Sequence, residues 1–225
     1  MPSMTEVTDR WITPGPQPNG LQAADDGLWV IDQDNNHLYK LDYSDGSILA
    51  RMPTESDHSS GVTIGGGHLW VSSTFGSRIF KLNGDGTTVD HYDTPGKGVV
   101  AFVDPANAQV TGAHGLQWVD ERHMWMAVPP AQQLFLVDPR DMSVHHSIPT
   151  PSHRPHGVFV ADGHVWCSDV GLRQVHKLDP TTGEIRAAID VPDPEVHGMT
   201  LHNHQIWFCC ALTRRVCTVP LSEAG

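Results

Sequence analysis

Short apolar runs alternate with polar turns along the chain in one recurring order. Each unit begins with a glycine and an apolar stretch, passes through a polar turn into an apolar stretch that contains tryptophan, and continues through a third stretch to an Asp or Asn turn. Short apolar runs bounded by turn residues are typical of strands. The first two stretches of the five units are GLQAADDGLWV, GVTIGGGHLWV, GLQWVDERHMWM, GVFVADGHVWC and GMTLHNHQIWF.

The tryptophans give the period of the repeat. Successive tryptophans are 41, 55, 41 and 41 residues apart, and the 14 extra residues of the second unit fall within residues 93–113. Four short strands in about 40 residues are the signature of a β-propeller blade. We therefore predict an all-β, five-bladed propeller. The repeated tryptophans are Trp29, Trp70, Trp125, Trp166 and Trp207.

The last unit lacks a fourth strand, and the N-terminal segment supplies one. The segment TEVTDRWITPGPQPNG, residues 5–20, aligns with GEIRAAIDVPDPEVHG, residues 183–198, with the proline in register. Closing the ring in this way leaves no free sheet edge. We predict one domain, residues 1–225, with blades at about 20–60, 61–114, 115–156, 157–197, and 198–225 together with 5–19.

Composition narrows the classes of partner. The chain has 14 Lys and Arg against 26 Asp and Glu, a net charge of −12, which repels nucleic acids and anionic membranes. We find neither a signal-peptide pattern nor a long apolar run, so we expect a soluble, cytoplasmic protein. The four cysteines show no paired spacing and are expected to be reduced. A small molecule is the expected partner.

Histidine recurs where the chain is expected to enter the axis of the ring. The residue before the glycine of each unit is, in order, Asn19, Ser60, His114, His156 and His197. Three imidazoles converging on a narrow axis suit a divalent metal, with Zn, Mn or Fe favoured and Mg as an alternative. In the competing interpretation, His-Gly is a turn element whose imidazole bonds a backbone carbonyl.

Further candidates follow from the same geometry. The position three residues past each tryptophan should face the same mouth, so Asp32 and Asp169 are predicted to complete or orient the metal site. We also consider a ligand-binding or covering role for five residues. They are Asn19, the thiol of Cys210, the cations of Arg173 and Arg214, and Phe102. Phe102 belongs to an apolar loop, Val99–Val103, which we predict to be a lid or a substrate wall.

The run PHGVFVADGHVWCSDVGLRQVHKLDPTTGEI, residues 155–185, resembles the repeat of virginiamycin B lyase (streptogramin lyase) and its relatives. The resemblance covers almost the whole chain in its repeat order. It implies opening of a cyclic depsipeptide by elimination, with His156 as the base, Asp169 as its acidic partner and Mg as cofactor. The family has seven blades, a Glu where this chain has Asp169, and a carboxylate-rich metal site, whereas imidazoles favour transition metals.

These observations support a metal-dependent lyase that acts on a small cyclic or ester-containing metabolite. Metal-dependent hydrolysis, isomerisation or cyclisation at the same site are close variants. A non-enzymatic, ligand-binding propeller scaffold is the alternative from another class, because one fold hosts many functions. A glycosidase would need a carboxylate pair at the mouth, for which Asp32 and Asp169 are the candidates.

Overall fold

The computed structural model describes residues 6–100, 104, 106 and 108–221 of the 225-residue chain. Most of its regular structure is β-strand, and a 3₁₀ turn is present at Pro129–Ala131. Five antiparallel sheets of four strands form the blades of a propeller, which confirms the predicted fold class.

The strands follow one another in chain order. The first half contains β1 (Thr8–Ile12), β2 (Pro18–Ala24), β3 (Gly27–Asp32), β4 (His37–Leu41), β5 (Ile48–Pro53), β6 (Ser59–Gly65), β7 (His68–Ser73), β8 (Arg78–Leu82), β9 (Thr88–Asp93), β10 (Gly98–Val99) and β11 (Val110–Thr111). The second half contains β12 (Leu116–Asp120), β13 (His123–Val128), β14 (Gln133–Val137), β15 (Val144–Pro149), β16 (Pro155–Ala161), β17 (His164–Asp169), β18 (Gln174–Leu178), β19 (Ile185–Asp190), β20 (Met199–His202), β21 (Gln205–Cys209) and β22 (Arg215–Pro220).

The ring is closed by the N-terminal strand, as the alignment predicts. Blades 1 to 4 are β2–β5, β6–β9, β12–β15 and β16–β19, and blade 5 has the strand order β1-β22-β21-β20. Strand β1 pairs with β22 from Thr8 opposite Thr218 to Ile12 opposite Arg215. Blade 5 is therefore built from both ends of the chain.

The repeated tryptophans explain why the blades stay together. Each lies at most 8% exposed in the apolar layer between its own blade and the next. Trp29, for example, packs among Val62, Leu69 and Val71 of blade 2, and Trp207 closes the ring against Leu21 of blade 1. Five such layers, one for each pair of neighbouring blades, bury the apolar strands that the repeat predicts.

The axis is closed beneath the axial residues by a ring of glycines: Gly20, Gly61, Gly115, Gly157 and Gly198. A Cβ on Gly61 would lie 2.0 Å from the carbonyl oxygen of His114, and one on Gly198 would lie 2.4 Å from Cα of Gly20. The space left between them is about 10 Å³, at the lower limit for holding one water molecule. Only glycine permits this approach of the five backbones.

The extra residues of the second unit form a short hairpin between blades 2 and 3. Strands β10 and β11 pair through Gly98 with Thr111 and Val99 with Val110. In the described part of the chain, no helix has the length and hydropathy needed to cross a bilayer.

Candidate functional site

A cavity of about 580 Å³ opens at one end of the axis, above the glycine ring. Four of the five axial positions, those of Asn19, His114, His156 and His197, contribute to its wall. The hairpin adds Val100, Gln109 and Thr111. The rest of the wall consists of Gln17, Gln33, Thr74, Phe75, Arg154, Glu195, Ala211 and Leu212.

A β-bulge at the start of each of three blades aims the axial side chain. In blade 1, Pro18 is opposite Asp32 but Gly20 is opposite Ile31, so Asn19 is an extra residue in the ladder. The register shifts in the same way around Ser60 and around His156. Side chains of a regular strand alternate between the two faces of the sheet, and a bulge interrupts this alternation. Here the bulges direct the side chains of the axial residues toward the axis.

The three imidazoles contact one another. The Nδ1 atoms of His114 and His156 are 3.1 Å apart, so one ring donates a hydrogen bond to the other, and the rings are nearly perpendicular at a centroid distance of 4.2 Å. The rings of His156 and His197 are 4.8 Å apart. The sequence prediction that these residues converge is therefore matched by the structure.

The backbone carbonyls of the same three residues accept hydrogen bonds from neighbouring strands. The carbonyl of His114 accepts from the Ser72 hydroxyl at 2.6 Å, and that of His197 accepts from the Ser168 hydroxyl at 3.0 Å. The carbonyl of His156 accepts from the amide of Gly115 at 2.9 Å. Within the described residues, none of the three rings donates to a backbone carbonyl, the contact that the turn-element interpretation expects.

The site keeps its imidazoles neutral. Burial lowers the pKa of His114 to about 3, and the neighbouring charges of His197 and Arg154 contribute. Burial, followed by Arg154, lowers the pKa of His197 to about 4. Burial together with His114, His197 and Arg154 holds the pKa of His156 well below its usual range. Near neutral pH each ring therefore carries a lone pair that can accept a proton.

Two charged residues border the histidines. Glu195 Oε1 is 3.6 Å from Nδ1 of His197, and the Glu195 side chain is 19% exposed. The amide of Ala211 points at the same nitrogen from 3.5 Å. Arg154 lines the cavity two residues before His156. A proton that reaches His197 would be stabilised by the Glu195 carboxylate.

Asp32 and Asp169 do not join the histidines. Both are buried, and both hold turns: Asp32 accepts from the backbone amides of Gln17, Asp34 and Asn35. Asp169 accepts from the Ser152 hydroxyl and from the amide of Leu172. Among the described residues, no hydrogen bond or ion pair joins either carboxylate to an axial histidine, and neither lines the cavity.

The other candidates divide between the turns and the cavity wall. Cys210 is buried, with its amide donating to Arg215, and the side chains of Arg173 and Arg214 donate to the carbonyls of Pro192 and Thr13. None of these three residues lines the cavity within the described part. Phe102 lies outside the described residues, whereas Val100 supports the prediction that this loop forms a wall.

Sequence reasoning missed residues that a further alignment of the repeats would have found. The position two residues before the axial slot contributes Gln17, Arg154 and Glu195 to the cavity, and the position four residues past the tryptophan contributes Gln33, Thr74 and Ala211. The prediction used the position three past the tryptophan. Because neighbouring strand residues point to opposite faces, that choice selected the turn-holding residues.

The predicted metal site is incomplete as arranged. The Nδ1 atoms of His114 and His156 are 3.1 Å apart, close to the separation of about 3.3 Å expected for two ligands on a tetrahedral ion. A third donor is not in place, because within the described residues no group of three His, Cys, Asp or Glu side chains is arranged to hold a metal ion. The described residues therefore hold two imidazole nitrogens at a spacing suited to one metal ion, without a complete ligand set around it.

Comparison with known proteins identifies the fold. No family model matches the chain, and no curated protein matches it. The solved structure of glutaminyl cyclase from Myxococcus xanthus is similar with a TM-score of 0.73, at 14% identity over 96% of this chain and 94% of that chain.

Two further structures are similar at lower TM-scores. Virginiamycin B lyase from Staphylococcus aureus has a TM-score of 0.58, at 15% identity over 96% of this chain and 99% of that chain. The WD40 propeller domain of Doa1 has a TM-score of 0.59, at 12% identity over 91% and 64%. The chain thus has a virginiamycin B lyase-like propeller fold, as the repeat predicts. At these identities the similarity is one of fold.

Proposed function

We propose that the protein is an enzyme of the lyase or cyclase type that moves protons on a small, carbonyl-containing substrate in the axial cavity. The observation that carries this proposal is the contact between three neutral imidazoles in a cavity of about 580 Å³. Two solved structures of similar fold, a glutaminyl cyclase and a virginiamycin B lyase, belong to these two reaction types.

His156 and His114 would act together as the base. In their shared hydrogen bond one Nδ1 donates, and the donating ring has its Nε2 lone pair free to accept a substrate proton. The resulting charge would be shared with the accepting ring through the same bond. The base could take the C–H proton in an elimination or the N–H proton of an attacking amine in a cyclisation.

His197 and Glu195 would supply the acid. His197 is neutral at rest, so the proton that it delivers would be the one that His156 takes from the substrate, since the two ring centroids are 4.8 Å apart. The Glu195 carboxylate, 3.6 Å from Nδ1 of His197, would stabilise the imidazolium during this transfer, and a departing amine would receive the proton. Glu195 is thus the acidic partner of His197, whereas the sequence predicts Asp169 as the acidic partner of the base His156. Blades 1 and 2 contribute no histidine to the cavity, and their neutral residues, Asn19 among them, are left for substrate recognition.

A second candidate is a metal-dependent reaction of the lyase, hydrolase or isomerase type, favoured by the 3.1 Å separation of the His114 and His156 Nδ1 atoms. Elemental analysis of the purified protein separates the two candidates. One equivalent of Zn, Mn or Fe that is lost from a folded His114→Ala/His156→Ala variant would favour the metal. Absence of metal from both proteins, after incubation with these ions and with Mg, would favour the imidazole base.

The direct test is turnover of two substrate types, peptides with an N-terminal glutaminyl residue and a cyclic depsipeptide lactone. We expect one of them to be converted and His156→Gln to reduce kcat at least about 100-fold, as the loss of a general base does. The control is His164→Gln, which changes a histidine that bonds the Asp162 carbonyl away from the cavity. Unchanged turnover in His156→Gln would refute the assignment of the base.

If neither substrate is converted by the folded wild-type protein and ligands still bind in the cavity, the ligand-binding scaffold becomes the better description. Folding of each variant is checked by circular dichroism and by the urea midpoint.

A further inference from the structure

Blade 1 carries a group of three side-chain amides in the cavity wall. The Oε1 atom of Gln33 accepts hydrogen bonds from Nε2 of Gln17 and from Nδ2 of Asn19, both at 2.8 Å. With both lone pairs of this oxygen in use, the orientation of the three amides is fixed. The group therefore presents a defined set of remaining donors and acceptors.

Two of those remaining groups lack a full partner. Asn19 is 2% exposed and lines the cavity, and its Oδ1 is buried without a hydrogen-bond partner. The Nε2 atom of Gln33 reaches only Ser60 Oγ, at 3.5 Å, which is the outer limit of a hydrogen bond. A buried acceptor without a partner is costly, and a ligand that supplies a donor would remove that cost.

We propose that this amide group binds a carboxamide of the ligand. The N–H of the carboxamide would donate to Asn19 Oδ1, and its carbonyl would accept from Gln33 Nε2. A carboxylate has no hydrogen to donate to Asn19, and an ammonium group has no lone pair to accept from Gln33. The donor and acceptor pair thus selects a neutral group that carries both.

The arrangement of charge around the cavity agrees with a neutral ligand group. Within the described residues, the charged members of the wall are Arg154 and Glu195, which precede the histidines of blades 4 and 5. The members from blades 1 and 2 are Gln17, Asn19, Gln33, Thr74 and Phe75, none of which carries a formal charge. Recognition is therefore assigned to residues of blades 1 and 2, and proton transfer to residues of blades 3 to 5, in one cavity.

The fold does not require asparagine at this position. Ser60 occupies the equivalent bulge in blade 2, where its hydroxyl accepts from Thr74 Oγ1 at 2.7 Å. The backbone thus accommodates either side chain, and Asn19 is available for recognition. A carboxamide would be the substrate class of the proposed enzyme. The catalytic use of this binding site rests on the proposed function, whereas carboxamide binding itself does not.

The test is an NMR titration of the full-length protein with three probes of equal length: butyramide, butyrate and butylammonium. We expect butyramide to shift the side-chain amide signals of Asn19 and Gln33 and to bind at least fivefold more tightly than either charged probe. Asn19→Ser, which copies the residue of blade 2, should weaken butyramide binding at least fivefold. Should that variant fail to fold, Gln33→Met removes the donor while keeping similar volume.

His156→Gln separates this inference from the proposed function. Butyramide should bind that variant as it binds the wild-type protein even when turnover is lost. Equal or tighter binding of butyrate or butylammonium would overturn the inference, and so would unchanged butyramide affinity in folded Asn19→Ser or Gln33→Met. An inactive wild-type protein that still prefers butyramide would refute only the proposed reaction.

Discussion

The two ends of the axis differ, although the same five chain segments build both. At the closed end every segment contributes a glycine, because a Cβ would collide with a neighbouring backbone. One residue earlier, at the open end, the segments contribute an amide, a hydroxyl and three imidazoles. The backbone geometry is shared, so the closed end is set by packing, whereas the fold leaves the open end free to vary.

This difference distinguishes the residues that maintain the fold from those that line the cavity, and it does so within one sequence. The repeated residues bury blades against one another or permit close backbone approach, as Trp29 and Gly61 do. Residues that break the repeat, such as Asn19 in the position where three other blades have histidine, line the cavity. Variation within a repeat is thus a guide to function inside a single chain.

The largest expected effect concerns the pH dependence of stability at the open end. His114 and His197 have pKa values of about 3 and about 4, below their unfolded value of about 6.5, so the unfolded chain binds their protons first, and stability falls as the pH drops from about 6.5 toward 4. By pH 5 each histidine should cost about 2 kcal/mol.

Urea unfolding between pH 7 and pH 5 measures this loss. A folded His114→Gln/His197→Gln variant should lose about 4 kcal/mol less than the wild-type protein over this range. Equal losses in both proteins would mean that the imidazoles are not held neutral.

The next effect concerns the closed end. Gly61→Ala places a methyl group 2.0 Å from the carbonyl oxygen of His114 and should destabilise the ring by about 3 kcal/mol, the upper range for overpacking. Gly84→Ala is the matched control, because a Cβ there meets no atom within 4 Å. If the urea midpoint falls equally in the two variants, then packing does not require glycine at the closed end of the axis.

A smaller effect tests whether Asp169 belongs to the scaffold. Because its carboxylate accepts from Ser152 and Leu172, Asp169→Asn should cost about 1–2 kcal/mol of stability through weakened hydrogen bonds. We expect kcat to change less than fivefold at a temperature where the variant is folded. A 100-fold fall in kcat would instead restore Asp169 as the partner of His156.

The smallest effect concerns the rim of the cavity. Leu212 lines the cavity and is 80% exposed, so it is expected to contact the part of a ligand that lies outside. Leu212→Ser should raise KM about threefold and leave kcat unchanged, since the lost apolar contact is worth under about 1 kcal/mol. Leu172→Ser, at a 47% exposed leucine that does not line the cavity, should leave KM unchanged.

The repeat could be predicted from sequence because its causes are local and recur. Trp29 and its four equivalents mark the period, and the alignment of residues 5–20 with 183–198 predicts the strand that completes blade 5. The axial ring could be predicted for the same reason, since the glycine after each axial residue marks where the chains converge.

The side of the strand that faces the cavity could not be predicted, because it depends on the bulges. Asn19 and His156 are extra residues in their strand ladders, and a regular count of strand positions does not include them. Such a count predicts that Asp32 and Asp169 face the cavity, whereas Gln33 is the residue that lines it. Glu195 lies in a loop, and its contact with His197 depends on how that loop folds back to the axis.

The pairing of β1 with β22 has a consequence for synthesis of the chain on the ribosome. Thr8 leaves the ribosome 210 residues before its partner Thr218, so β1 stays unpaired while the four blades between them are synthesised. Contacts so distant in sequence form late and slowly. Asp9 and Arg10 are both exposed in the finished strand. Their charges oppose pairing of β1 with other nascent chains while it is still without its partner strand.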